Sequence, residues 1–101
     1  MKKFKVIIYR QAEKDMKSIF DYIAADSIKY ANIMHDKFLH AFERLESFPN
    51  SGTFLKDSKL TEKGYRTIIV DDYLIFYSLA GEIIQIKRVL HGSVKYKKLL
   101  H

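Results

Sequence analysis

The spacing of apolar residues in this chain changes character once, between Pro49 and Gly64, and that change constrains the fold more than any motif does. Before it, Ala12, Met16, Ile19, Phe20 and Ile23 recur at helical steps, with Glu13, Lys14, Asp15, Lys17 and Asp21 falling largely on the other side. A second stripe, Ile28, Ala31, Met34, Phe38, Phe42 and Leu45, follows a possible cap at Asp26 or Ser27. Two helices with so short a join form an antiparallel hairpin. Pro49 ends the second, because proline lacks an amide proton and biases Phe48 away from helical angles. Residues 50–63 read as a loop.

After Gly64, residues 65–70, 73–79 and 83–90 are rich in β-branched and aromatic side chains and read as three strands. Asp71 with Asp72 and Ala80 with Gly81 are separators short enough for tight hairpins, so the strands form an antiparallel meander. A short apolar run at residues 4–9 supplies a first strand, which joins the sheet rather than leave an unpaired edge. The expected order is β-α-α-β-β-β. This is an α+β domain spanning 1–101, with the helical hairpin on one face of a small, mainly antiparallel four-stranded sheet.

The strands are apolar on both faces: Ile68, Ile69 and Val70 are consecutive, as are residues 73–77 and Ile83 with Ile84. One face takes the helices. The other is left for a partner or for the chain's own C-terminal segment. The single core must also hold unaided, because with no cysteine the chain has no disulfide, thiolate zinc site or cysteine nucleophile. The apolar run after the basic first residues is too short for a signal peptide, and no run approaches the roughly 20 residues of a membrane span. The expected location is the cytoplasm, with no membrane partner.

Charge is concentrated at one end. From Ile83 onward Lys87, Arg88, Lys95, Lys97 and Lys98 stand without an acid, whereas up to Glu82 there are 13 basic and 12 acidic residues. Such a field favours a polyanion or an acidic protein over a neutral small molecule, and Lys87, Lys95, Lys97 and Lys98 are the candidate contacts for a target or nucleic acid. A solvated tail is the plain alternative. Metal binding is not expected: among His35, His40, His91 and His101 none has ligand spacing, and His35 and His40 lie about 140° apart around a helix. Glu43 and Glu46 are neighbours on a helix flank, not an acid pair across a cleft. No glycine-rich phosphate loop or nucleophile elbow occurs, and no cofactor is implied.

Where the sheet ends, Arg66, Arg88, His91 and Tyr96 are the candidates for chemistry. A guanidinium grips phosphate in two places, a histidine titrates near neutrality, and a tyrosine stacks on a base or passes a proton. Together these are the parts of a ribonuclease. Alternatively, Arg66 and Arg88 pair with Asp71, Asp72 or Glu62, and His91 merely closes a strand.

The segments Phe48-Pro49-Asn50-Ser51-Gly52, Gly64-Tyr65-Arg66-Thr67-Ile68-Ile69-Val70-Asp71-Asp72-Tyr73-Leu74-Ile75-Phe76-Tyr77 and Ile84-Gln85-Ile86-Lys87-Arg88-Val89-Leu90-His91-Gly92 resemble the ParE/RelE superfamily of type II toxin-antitoxin modules. The resemblance implies a RelE/ParE-like fold and a small toxin neutralised by a cognate antitoxin, as a toxin-antitoxin hetero-oligomer. It leaves two targets open. RelE-like members cut messenger RNA on the ribosome, where Arg66, Arg88, His91 and Tyr96 would be catalytic. ParE-like members inhibit DNA gyrase and are not enzymes. Those RelE-like members that use histidine carry an arginine where this chain has Leu74, a departure that favours the ParE-like branch. Outside the superfamily, a non-toxic nucleic-acid-binding module using the lysine-rich end is the competing expectation.

Overall fold

In the computed structural model, which describes residues 3–100, β1 (Lys5–Ile8) leads into the helical hairpin of α1 (Arg10–Ala24) and α2 (Ile28–Ser47). Ser27, rather than Asp26, caps α2, its hydroxyl accepting from the Tyr30 amide at 3.2 Å. Ser27→Ala is expected to cost about 1 kcal/mol in a urea titration, the usual penalty for an orphaned first-turn amide.

Beyond Pro49 the chain is more structured than its composition suggests. The segment 50–63 read as loop contains a two-residue strand, β2 (Thr53–Phe54), and one turn of helix, α3 (Ser58–Glu62), capped by Asp57 through the Leu60 amide. Then come β3 (Arg66–Val70), β4 (Tyr73–Ala80), β5 (Ile83–His91) and a final turn, α4 (Lys97–Leu100). The sheet therefore has five strands, not four, in the order β1-β5-β4-β3-β2. β2 is too short to carry a period and exposes both residues, so only its pairing with Thr67 and Arg66 reveals it. β1 pairs with β5 in parallel, and the other ladders are antiparallel. Both tight hairpins place a positive φ at their first loop residue, Asp71 (53°) and Gly81 (61°), which glycine adopts freely and aspartate tolerates.

Two clusters form the core. Under the helices, Met16, Met34, Phe38, Phe42 and Leu45 meet Ile75, Tyr77, Ile84, Ile86 and Val89, with Ile19 and Ile23 at the margin. Three members of the expected stripes lie outside this cluster, and of these only Ala31 is buried. Phe20 is half-buried and stands edge-on to His35 at 6.5 Å, and Ile28 at the start of α2 is exposed. On the opposite face Phe76 and Leu90 are covered by Leu60 of α3 and Leu100 of α4, with Leu55, Tyr65, Leu74 and Tyr96 around them. The second apolar face is thus closed by the chain's own loop and C-terminal segment. Among the described residues no helix is long and apolar enough to cross a membrane.

Candidate functional site

An unbroken β5 carrying Ile84 and Ile86 to the helices would aim Arg88 there too, an untenable place for an unpaired charge. The strand avoids this with a bulge. Tyr77 stands opposite Ile86 and Phe76 opposite Arg88, so Lys87 is the extra residue, and Ile86 and Val89 both reach the helix-side cluster. Arg88 then meets Asp15 of α1 in a two-pronged ion pair, Nε to Oδ2 at 2.8 Å and Nη2 to Oδ1 at 2.9 Å. Asp15 Oδ2 also accepts the Val89 amide at 3.0 Å, where β1 has ended and offers no carbonyl. Hydrogen bonding to this carboxylate is the main influence raising the Arg88 pKa above its ordinary value, against the opposing effect of burial. The partner is neither Asp71, Asp72 nor Glu62. Asp15 does not fall with the polar side of α1 as expected: standing three residues after Ala12 and four before Ile19, it borders the buried stripe.

Arg66, by contrast, has no acidic partner among the described residues; it serves backbone carbonyls. Its Nη1 donates to Gly52 O at 3.1 Å and Asn50 O at 3.3 Å, while the guanidinium carbon lies 3.9 Å over the Phe54 ring. That turn is fastened from beneath by Tyr77, which is fully buried. The Tyr77 hydroxyl donates to Pro49 O and accepts from the Gly52 amide, both at 2.8 Å. Burial raises the pKa of Tyr77, favouring the neutral hydroxyl.

His91 ends β5 opposite Tyr73, whose ring it meets edge-on at 5.4 Å. Its Nδ1 accepts the Ser93 amide at 3.1 Å and lies 2.7 Å from Ser93 Oγ. Tyr96 sits within the second cluster, 4.9 Å from Phe76.

The four candidates are therefore not drawn into one constellation. Arg66 and Arg88 flank β4, two strand spacings or about 10 Å apart across the sheet, because β3 and β5 both run against β4. The same topology puts the start of β3 away from the end of β5, so His91 lies level with Val70 rather than with Arg66. Of the basic end, Lys87 is half-buried with its Nζ 4.1 Å over the Tyr9 ring, whereas Lys95, Lys97 and Lys98 are exposed. Among the described residues no cluster of three His, Cys, Asp or Glu could hold a metal ion; His101 lies outside them.

The same fold is found in chains of solved toxin-antitoxin systems. A chain of a chromosomal ParDE system from P. aeruginosa superposes with a TM-score of 0.71 at 18% identity, covering 87% of this chain and 95% of that one. A chain of the RelBE2 toxin-antitoxin complex from Mycobacterium tuberculosis gives 0.59 at 21% identity, covering 88% and 98%. In sequence, Toxin ParE3 of Caulobacter vibrioides is 30% identical over 91 residues, 89% of this chain and 88% of that protein. Residues 6–96 match the family described as the ParE toxin of the type II toxin-antitoxin system parDE, and the chain belongs to that family.

Proposed function

We propose that this ParE-type toxin arrests growth by inhibiting DNA gyrase in the cytoplasm, without cutting RNA, and that a cognate antitoxin neutralises it as a hetero-oligomer. The observation that carries this reading is the fate of the polar candidates. Arg88 is engaged by Asp15 and Arg66 by the 50–52 carbonyls, and half-buried Leu74 belongs to an apolar cluster. A phosphoryl-transfer site needs cations free to meet developing charge, and these are spent on holding the fold together. Exposed Lys95, Lys97 and Lys98 are the proposed target contacts, with the half-buried Lys87 as a further one. The solved toxin-antitoxin systems of the same fold support the antitoxin partner.

The test is a supercoiling assay with purified gyrase. Inhibition is expected, with His91→Ala within about twofold of the parent and the triple change Lys95→Glu, Lys97→Glu, Lys98→Glu weakening it by at least about tenfold through reversed steering. The triple change is preferable to truncation, which would strip Tyr96 and Leu100 from the second cluster. Codon-positioned cleavage of messenger RNA in a translating extract, lost on His91→Ala, would overturn this reading and restore a RelE-like mechanism.

A further inference from the structure

β1 forms the edge of the sheet farthest from β2, and among the described residues no strand pairs with its outer side. Its parallel ladder with β5 decides which backbone groups are spent. The Lys5 amide donates to Glu82 O at 3.0 Å and the Tyr9 amide to Ile86 O at 2.9 Å, so Lys5, Ile7 and Tyr9 turn toward β5 while Val6 and Ile8 turn outward. At one end the Phe4 amide is taken by Glu46 O of α2 at 2.9 Å, and from Arg10 the chain is helical. Two amides and two carbonyls are left open. The usual guards of such an edge are few: β1 contains no proline and no bulge, and Lys5 is its one charge. Val6 and Ile8 pack toward the helices, whereas Ile7 lies on the other face and is 41% exposed. Beside Ile8 a recess of about 450 Å³ opens on the helix side, with Met16, Phe20 and Leu39 in its wall.

We infer that a second copy of this chain pairs with this edge, β1 antiparallel to β1, across a two-fold axis at Ile7. About that axis Val6 of each copy stands opposite Ile8 of the other, and each of these pairs exchanges both of its backbone bonds. Every outward group is then satisfied. An axis at Val6 would set Ile8 against Phe4, whose amide is engaged, and an axis at Ile8 would set Val6 against Arg10, which belongs to α1, so neither shift satisfies them all. The side chains favour the same register. Ile7 meets Ile7 of the other copy, and Lys5 faces Tyr9 rather than a second Lys5, so no like charges stand opposed. An antiparallel edge pair has its axis perpendicular to the sheet, which keeps both helical layers on one face and brings the two recesses beside Ile8 together. Two five-stranded sheets become one. The strands are short and the interface small, so the association is weak and reversible. It goes beyond the gyrase and antitoxin readings and needs neither, because β2 and β3 lie at the far edge of the sheet.

The experiment follows the full chain by sedimentation and residue-resolved amide exchange as its concentration rises. The mass should climb from one chain toward two between roughly 1 μM and 1 mM, the range of weak association. Over that range the Val6 and Ile8 amides should slow by about tenfold or more, while Ile7, bonded to β5 throughout, stays constant. Because the chain has no cysteine of its own, Ile7→Cys gives a clean probe of the axis. It should form a linked dimer under mild oxidation, since the Cα atoms of such a non-hydrogen-bonded pair stand about 4.5 Å apart, within disulfide reach. Lys5→Cys, exposed but set opposite Tyr9, should link at least about tenfold more slowly. Ile7→Lys, which brings two charges together at the axis, should weaken association by at least about tenfold. Slow exchange at Ile75 in each variant shows that the fold is kept. A chain that stays single at the highest of these concentrations overturns the inference, as does a dimer in which Val6 and Ile8 still exchange freely, or equal linking of the two cysteine variants. Protection of Val6 and Ile8 only when the product of the neighbouring gene is added would give this edge to that partner instead.

Discussion

Asp15→Ala should be the most destabilising single charge removal in this toxin, costing about 3–5 kcal/mol. The side chains of Asp15 and Arg88 are only 9% and 15% exposed, so loss of the carboxylate leaves a desolvated guanidinium and also orphans the Val89 amide. Against the 5–15 kcal/mol total stability usual for a domain, this leaves a large unfolded fraction on mild heating. The measurement is the urea midpoint. Asp15→Leu combined with Arg88→Met should recover most of the loss, because replacing both members of a buried pair by apolar residues removes the orphaned charge. A single-variant loss below about 1 kcal/mol would show that the pair does not hold α1 to the bulged strand.

Gly52→Ala is expected to cost about 3 kcal/mol, at the upper end for an overpacked site. A Cβ there would lie 2.6 Å from Tyr77 Cε1 and 2.9 Å from the Thr67 carbonyl oxygen, and also against the Tyr77 hydroxyl. Neither the strand nor a buried ring can yield cheaply. Tyr77→Phe approaches the same turn from the other side, orphaning Pro49 O and the Gly52 amide, and should cost about 2–4 kcal/mol. It carries a pH signature as well. Burial raises the pKa of Tyr77, so the folded chain keeps this proton after the unfolded chain has released it. The stability it contributes is complete below the ordinary tyrosine value of about 10 and is lost as pH rises through the higher folded value. Tyr77→Phe should flatten that alkaline decline in part, with Tyr65 and Tyr73, also raised by burial, supplying the remainder. An unchanged alkaline slope would count against the role given to Tyr77.

The stripe from Met34 to Leu45, the stop at Pro49 and the β-period after Gly64 follow from side-chain spacing and backbone chemistry, which are properties of neighbours in sequence. They were enough to place a hairpin of helices before a meander. The superfamily was legible too, because runs such as Arg88-Val89-Leu90-His91-Gly92 persist in the sequence whatever each residue contacts. The roles within those runs were not. Arg88 and Asp15 are 73 positions apart, and only the bulge at Lys87 and the early end of β1 bring them together. Arg66 looked equally suited to phosphate, but the short β2 and the turn fastened by Tyr77 turn it toward carbonyls. The second apolar face was visible in the unbroken apolar run of β4, whereas its cover, Leu60 and Leu100, came from two helices too short to show a period. Local spacing determined the two long helices, the first strand and the meander, and the residue runs determined the family. Which cations remain free to meet a target was decided by long-range register and strand length, because those contacts exist only once distant segments have packed.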